Sequence, residues 1–289
     1  MAFSGSKVIS QTVSVITGRL GTLVGVWAAF FVIQIVLFLV MGGMMGGAVF
    51  GSLMAGGTMM EGGGPDAFAG LSAGLIAGLF VLYLVYMVVG AASAAALSAA
   101  ASPLIRPSAG DAIGIGFRSA PTLIGVILLV LVAYMLGAVV FGILVALMAA
   151  LSEYLAAAAA FVILPAVVWA ACRLSVIFPV IAVDRVTGPV AAVRRAWGLT
   201  RGHALKILAI FVVFAVVAAI LFGVIVALFG GSVAGMAGLG AMPSMGMLAG
   251  AGLLFVIVSI LLGITAAALM SAIHGELAGG GERLAETFG

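Results

Sequence analysis

One arginine lies inside an apolar stretch of this sequence that is long enough to cross a membrane. Arg173 belongs to the apolar run 154–183, which is followed at once by Asp184. A straight helix would place Arg173 about 16 Å inside that end, and a cation at that depth normally faces the bundle interior and pairs. The sequence therefore predicts that Arg173 points into the bundle or a cytoplasmic vestibule. Its expected partner is Asp184, a carbonyl freed by Pro179 or a bound phosphate; the alternative is an early helix break at Pro179, with Arg173 extending to the interface.

A basic segment follows over residues 189–203. Arg194, Arg195 and Arg201 lie off an apolar stripe at helical spacing. Because such a helix suits the headgroup layer, the sequence predicts an interfacial helix with Trp197 toward the acyl boundary and the arginines facing anionic phosphates. The alternative is a topology anchor that binds no ligand. The stripe consists of Val190, Val193, Trp197, Thr200 and Ala204.

These two segments supply the predicted lipid- or partner-binding site. No catalytic residue is predicted, because the sequence offers no Ser–His–Asp set, no metal triad and no paired carboxylates at usable spacing. His203 and His274 lie far apart and Cys172 is the only cysteine, so neither a metal site nor a cofactor is expected. The predicted site residues are Arg173, Asp184, Arg194, Arg195, Trp197, Thr200 and Arg201.

Methionines cluster in two other parts of the chain, around 41–60 and 236–247. Thioether groups can hold Cu(I), but methionine more often fills apolar space. Because no histidine or cysteine accompanies either cluster, filler is the favoured interpretation and copper binding is the alternative.

The composition places these residues in a membrane. Of the 289 residues, 66% are hydrophobic and only 7% are charged, and the mean hydropathy is +1.47. A soluble globular domain does not have this balance. Because apolar runs occupy most of the chain, there is no room for a separate catalytic domain.

The apolar runs predict an all-α, polytopic membrane helix bundle that forms a single integral membrane domain. Six transmembrane helices are expected as three hairpins, each preceded by a cytoplasmic interfacial amphipathic helix. The amphipathic segments are 4–19, 111–118 and 189–203. The predicted spans are about 20–47, 67–101, 122–151, 154–183, 204–229 and 253–273.

The hairpins are interpreted as an internal repeat of three units, 1–102, 103–186 and 187–289. GTLVGV at 21–26 resembles PTLIGV at 121–126, and the charge placement agrees with the hydropathy. The alternative is that apolar sequence of low complexity always looks self-similar.

Small residues predict that the second span is central in the bundle. Gly70, Gly74 and Gly78 recur at four-residue spacing, and an Ala/Ser run covers 91–102. Small residues on one helix face allow close approach of neighbouring backbones.

The cations of the connecting segments all fall on one predicted side of the membrane. The opposite connections hold only Glu61, Asp66 and Glu153. The positive-inside bias therefore places both termini and the amphipathic segments in the cytoplasm. The cations concerned are Lys7, Arg19, Arg106, Arg118, Arg185, Arg194, Arg195, Arg201, Lys206 and Arg283.

A stretch of about thirty residues resembles a known family. Arg173-Leu-Ser, then Pro179, then AAVRRAWGLTRG at 191–202 resemble the membrane domain fused to some bacterial glycerophosphoryl diester phosphodiesterases, which also occurs free-standing. Ala196 stands where serine is common in that family. The resemblance implies a six-span domain of the bacterial cytoplasmic (inner) membrane, without the phosphodiesterase reaction, because the catalytic barrel of the fused proteins is absent from this sequence.

The favoured function is non-enzymatic, a lipid-interacting or scaffolding membrane protein. Its expected partners are anionic headgroups of membrane lipids or another membrane protein, and no nucleic acid. The alternative is a small transporter or channel with Arg173 lining the path. A continuous polar cavity would favour the alternative, and a closed apolar core would favour the first hypothesis.

Overall fold

A computed structural model of the chain describes residues 3–54, 73–230 and 245–279. These residues are almost entirely helical, and no strand occurs among them. Parts of both predicted Met-rich stretches, residues 55–72 with Glu61, Asp66 and Gly70, residues 231–244, and the tail with Arg283 lie outside the described residues.

Eight α-helices are found in the described ranges. A π-helical turn, Val226–Gly230, extends the seventh helix. The helices are α1 (Gly5–Met54), α2 (Ala73–Ala100), α3 (Ala109–Leu151), α4 (Glu153–Leu174), α5 (Ile177–Ala182), α6 (Pro189–Leu199), α7 (Ala204–Ile225) and α8 (Met245–Leu277).

Six stretches of the described residues are long and apolar enough to cross a membrane, which confirms the predicted polytopic helix bundle. They coincide with the six predicted spans, and the fourth runs from α4 through α5. The stretches are Gly5–Met44, Leu75–Ala100, Ala109–Leu151, Pro165–Ala182, Ala204–Phe229 and Ala249–Leu277. The three repeat units stay a prediction.

The second predicted amphipathic segment, 111–118, is not a separate helix but the first turns of α3. The Ser108 hydroxyl accepts a hydrogen bond from the Asp111 N–H at 3.2 Å, and the Asp111 carboxylate accepts one from the Ser108 N–H at 3.4 Å. This reciprocal capping box starts the helix at once. Pro121 then lies inside α3 without ending it, since a membrane helix tolerates the loss of one donor.

The first amphipathic segment is separated from its span by a kink in α1. Arg19 has φ −134° and ψ 18°, which are not helical values. Its guanidinium donates hydrogen bonds to the carbonyl oxygens of Ala100 and Pro107, both at 2.7 Å. Ala100 is the last residue of α2, where carbonyls lack a helical donor. Arg19 therefore caps α2 and fixes the kink against it.

The first segment packs on the protein through one face and leaves larger apolar side chains on another face exposed. Val8 and Thr12 are buried, whereas Ile9 and Val13 are more than half exposed. Because protein packing covers Val8 and Thr12, the larger apolar side chains are left to face the surroundings of the bundle.

Helix α2 is central, as its small residues predict. It packs against α1, α3, α5 and α8, and its Ala92 and Ala96 are fully buried. A Cβ built on Gly116 of α3 would lie 2.3 Å from the carbonyl oxygen of Ala92. The α2 and α3 backbones therefore approach as closely as only glycine at this position allows.

Candidate functional site

Arg173 lies in the last turn of α4, just before a break in the fourth span. The Ser175 hydroxyl donates to the Cys172 carbonyl at 2.8 Å, and α5 begins at Ile177. Pro179 itself is a buried residue of α5. The break lies four residues before Pro179, because a proline ring clashes with the carbonyl four positions earlier. Arg173 is nevertheless only 6% exposed, so it does not extend to the surface as the alternative interpretation expected.

The Arg173 guanidinium lies between two tryptophan rings. Its Cζ is 5.1 Å from the ring centroid of Trp169 and 4.5 Å from that of Trp197. The two rings meet edge to face, with centroids 5.2 Å apart and an interplanar angle of 88°. Cation–π contacts of a desolvated guanidinium are worth about 2 kcal/mol or more. We name Trp169, Arg173 and Trp197 the indole clamp.

Asp184, one of the predicted partners of Arg173, does not pair with it, and a bound phosphate stays a prediction. Asp184 pairs with other residues, as described below, and the buried Nε of Arg173 has no hydrogen-bond partner in the described part of the chain. Trp197 covers Arg173 with its ring, and its predicted place toward the acyl boundary stays a prediction. Aromatic faces satisfy the cation without the desolvation of a second, negative charge.

Thr200 joins α6 to α4. It is fully buried, and its hydroxyl lies 3.1 Å from the carbonyl oxygen of Arg173 and 2.9 Å from that of Ala196. The Arg173 carbonyl belongs to the end of α4, where helical donors are missing. Thr200 therefore stabilises the clamp through the Arg173 backbone. Its hydroxyl is bonded to protein carbonyls.

Asp184 forms a second cluster with Arg195 and His274. Its Oδ2 lies 3.1 Å from Arg195 Nε, and its Oδ1 lies 3.1 Å from His274 Nε2. No aligned hydrogen bond joins His274 Nε2 to this oxygen, although the two atoms lie this close. Burial raises the pKa of Asp184, but His274 and Arg195 together outweigh it and hold that pKa below its usual value.

The start of α6 is set by the residues before it. Gly188 has φ +97°, a conformation that glycine adopts without a steric penalty, and Pro189 then suits the first helical position. Pro189 packs on α3, where a Cβ on Gly125 would come within 3.1 Å of the proline ring. Residues 189–199 form the predicted helix as a result, four residues shorter than the predicted basic segment.

The face of α6 that enters the bundle carries small residues. Ala192 and Ala196 are fully buried, while Val190 of the predicted stripe is 57% exposed. Arg194 and Arg195 are exposed and line a groove of about 600 Å³ that is closed on its other side by Leu277 of α8.

The remaining predicted residue, Arg201, is exposed beyond the end of α6. In the described part of the chain, neither Arg194 nor Arg201 has an acidic partner within salt-bridge distance. The structure thus divides the predicted site into the indole clamp with Thr200, the Asp184 cluster and two unpaired arginines.

Two residues of the site were missed by the sequence reasoning. Trp169 precedes Arg173 by one helical turn, a spacing that predicts contact on one helix face. His274 lies in α8 and carries no local signal, because only the tertiary fold brings it to Asp184. No group of three or more metal-ligating side chains occurs among the described residues.

Comparison of the chain with protein-family models, with curated proteins and with solved structures finds no match. The resemblance to the phosphodiesterase membrane domain therefore stays a prediction.

Proposed function

We propose that this chain is a non-enzymatic, multi-pass protein of the bacterial cytoplasmic membrane that binds anionic lipid headgroups through α6. The observation that carries the proposal is the fixed position of α6. Its alanine face is buried, Trp197 and Thr200 hold it to α4, and its arginines stay exposed.

The charge distribution supports the same function. Arg194 and Arg201 are not neutralised by any carboxylate in the described residues. An arginine near an anionic membrane surface contributes roughly 1 kcal/mol to binding. We call α6 with its exposed arginines the α6 platform. A rigid helix gains more from this attraction than a mobile loop, because less conformational entropy is lost on binding.

The orientation of the platform comes from the positive-inside bias. It puts α6 and both termini in the cytoplasm, on the leaflet side that is rich in anionic lipids. The resemblance of 173–202 to the phosphodiesterase membrane domain supports a bacterial inner-membrane location. A scaffolding role is compatible with this proposal, since a partner protein could use the same arginines.

The transporter alternative gains no support from Arg173. The guanidinium is enclosed by Trp169 and Trp197 and is 6% exposed. A residue that lined an aqueous path would need contact with water or substrate.

The proposal is tested by native mass spectrometry of the full chain with bound phosphatidylglycerol and phosphatidylcholine. Arg194→Gln with Arg201→Gln removes two unpaired charges and leaves the Arg195–Asp184 contact intact. We expect the retention of the anionic lipid to fall and that of the zwitterionic lipid to stay the same. The matched control is the pair Arg194→Lys and Arg201→Lys, which keeps the charge. Equal retention of phosphatidylglycerol by the Gln variant and the unmodified chain would contradict the proposal.

A further inference from the structure

A second basic cavity lies between α3 and the segment that follows α5. It has a volume of about 200 Å³. Arg118, Ser119 and Thr122 line it from α3, and Arg185 and Thr187 line it from the connection to α6. None of these residues belongs to the site derived above.

The polar groups around this cavity have no protein partner. In the described part of the chain, no carboxylate lies within salt-bridge distance of Arg118 or Arg185. The hydroxyls of Ser119, Thr122 and Thr187 make no hydrogen bond there either, although Ser119 is only 8% exposed. Two guanidinium groups and three hydroxyls that line one cavity are therefore free to donate hydrogen bonds to an anionic group.

Some helical hydroxyls elsewhere in the described residues are satisfied by their own helix. Thr12 donates to the Val8 carbonyl at 2.8 Å, and Thr265 donates to the Leu261 carbonyl at 2.7 Å. This bond to the preceding turn is the usual way for a helical hydroxyl to be satisfied. Ser119 and Thr122 lie in a helix as well, yet both leave that bond unmade.

Arg185, which lines the cavity, has a strained backbone conformation. Its φ of +53° is the only positive value at a non-glycine residue in the described ranges. Such strain persists where the surrounding structure fixes it, and it is common at ligand-binding sites. The left-handed turn places Arg185 on the same cavity as Arg118, with like charges facing one space. Two cations that share a cavity favour an anion between them.

A separate apolar groove lies farther along α3, about one helical turn beyond the residues that line the cavity. It has a volume of about 430 Å³ and is lined by residues of α3 and by Leu174 and Ile177. Val126 begins it, one helical turn after Thr122, and Ile177 lies one turn before Ile181 of the basic cavity. The α3 side of the groove is Val126, Ile127, Val130, Leu131 and Tyr134.

We propose that the cavity and the groove together form one binding site for an anionic glycerophospholipid. The phosphate lies between Arg118 and Arg185, where guanidinium groups form bidentate, charge-assisted hydrogen bonds. The Ser119 and Thr122 hydroxyls donate to the remaining phosphate oxygens. One acyl chain lies along the α3 groove past Val130. The inference rests on the proposed orientation, which puts Arg118 and Arg185 at headgroup depth.

The headgroup half is tested with Arg118→Gln and Arg185→Gln together, in native mass spectrometry with phosphatidylglycerol. We expect retention to fall roughly tenfold or more, from the loss of two phosphate contacts. Arg118→Lys with Arg185→Lys should keep part of it. An excess of inorganic phosphate should not displace the lipid, because the groove adds the acyl contribution. Displacement by phosphate, or full retention by the Gln variant, overturns the proposal.

The acyl half is tested with Val130→Trp, which fills the groove. Leu128→Trp is the matched control, because Leu128 is an exposed residue of α3 that does not line the groove. We expect weaker lipid retention for Val130→Trp alone. An equal loss for both tryptophan variants overturns the proposal.

The Gln variants also separate this inference from the proposed function of α6. Loss of retention with the Arg118 and Arg185 changes, but not with those at Arg194 and Arg201, supports the cavity and contradicts the α6 platform. The reverse result overturns the cavity and supports the platform.

Discussion

The hydroxyl of Thr200 reaches the carbonyl oxygen of Arg173 across 3.1 Å, although the two residues belong to different helical segments. This bond uses an acceptor that the end of α4 leaves free. It also holds Trp197 over the guanidinium, since Trp197 lies one turn before Thr200 on α6. The residue after α6 thereby supplies a donor to the end of α4.

Thr200→Val should destabilise the folded protein by about 1 kcal/mol, because it keeps the side-chain volume and leaves the Arg173 carbonyl without its donor. Unfolding in mixed micelles, followed by tryptophan fluorescence, measures the loss. Thr17→Val is the matched control, since the Thr17 hydroxyl only bonds within its own helix, to Val13 at 2.9 Å. Equal effects of both changes would show that the contact between α4 and α6 contributes no more to stability than a hydroxyl bonded within its own helix.

The indole clamp predicts energetic coupling between Arg173 and Trp197. In a double-mutant cycle with Arg173→Leu and Trp197→Leu, we expect a coupling free energy of about 2 kcal/mol in the unfolding assay. Trp197→Phe should keep a part of it, because a smaller ring still offers an aromatic face. Additive effects of the two leucine changes would show that the cation–π contact does not contribute to stability.

Gly116 predicts a large steric effect between α2 and α3. Gly116→Val should destabilise the fold by about 1–3 kcal/mol or more, because the first added carbon already meets the backbone of Ala92. Gly114→Val is the control in the same helix, since no neighbouring atom lies within 4 Å of a Cβ there. Thermal unfolding in detergent compares the two, and a Gly116 variant as stable as the Gly114 variant would be evidence against the close approach.

Asp184 predicts an acid-sensitive contribution to stability. Its pKa is lower in the folded state than its usual value, because His274 and Arg195 outweigh the effect of burial. The stabilisation is therefore present above the unfolded-state pKa of about 3.9 and is lost as the pH falls through the folded pKa. Asp184→Asn should be less stable than the unmodified chain near neutral pH, and the difference should shrink on acidification.

Unfolding of both proteins between about pH 3 and pH 7 checks this expectation. Glu276→Gln serves as the control, because Glu276 forms no ion pair within the described residues. A difference between Asp184→Asn and the unmodified chain that is independent of pH would assign the effect to packing.

The charge asymmetry predicts the membrane topology. Reporters fused to the C-terminus or inserted after Leu104 should report the cytoplasm, and one inserted near Gly63 should report the exterior. Leu104 is suitable because it lies in the connection between α2 and α3. An exterior C-terminus would contradict both the orientation and the even number of spans.

The spans could be predicted because hydropathy is a local property of about twenty residues. The start of α3 could not be, since the Ser108 and Asp111 capping box outweighs the change in amphipathic pattern that suggested a separate segment. Which face of the first segment packs on the protein becomes clear only in the structure, where Val8 and Thr12 are buried. In a membrane, the larger apolar side chains, such as Ile9, need not face the protein, so periodicity alone does not tell which face packs.

The candidate site was predictable only in its individual residues. The sequence indicated that Arg173 is buried, and it is. The choice of Trp197 over Asp184 as its partner depends on how the connection from α5 to α6 folds back. His274 lies close to Asp184 in the fold although it belongs to α8, far along the chain. No local sequence pattern predicts such a contact.

The uneven burial along the helices has a mechanical consequence. In α3 every buried side chain lies from Ala112 to Val126, and none occurs from there to Leu151. The part of α3 up to Val126 is thus held by protein packing, and the part beyond it is mostly exposed at the surface of the bundle. A thinner bilayer would tilt the exposed part of α3 relative to the packed part. Arg118 lies in the packed part of α3. A small rotation of α3 there would change the width of the cavity that Arg118 and Arg185 line.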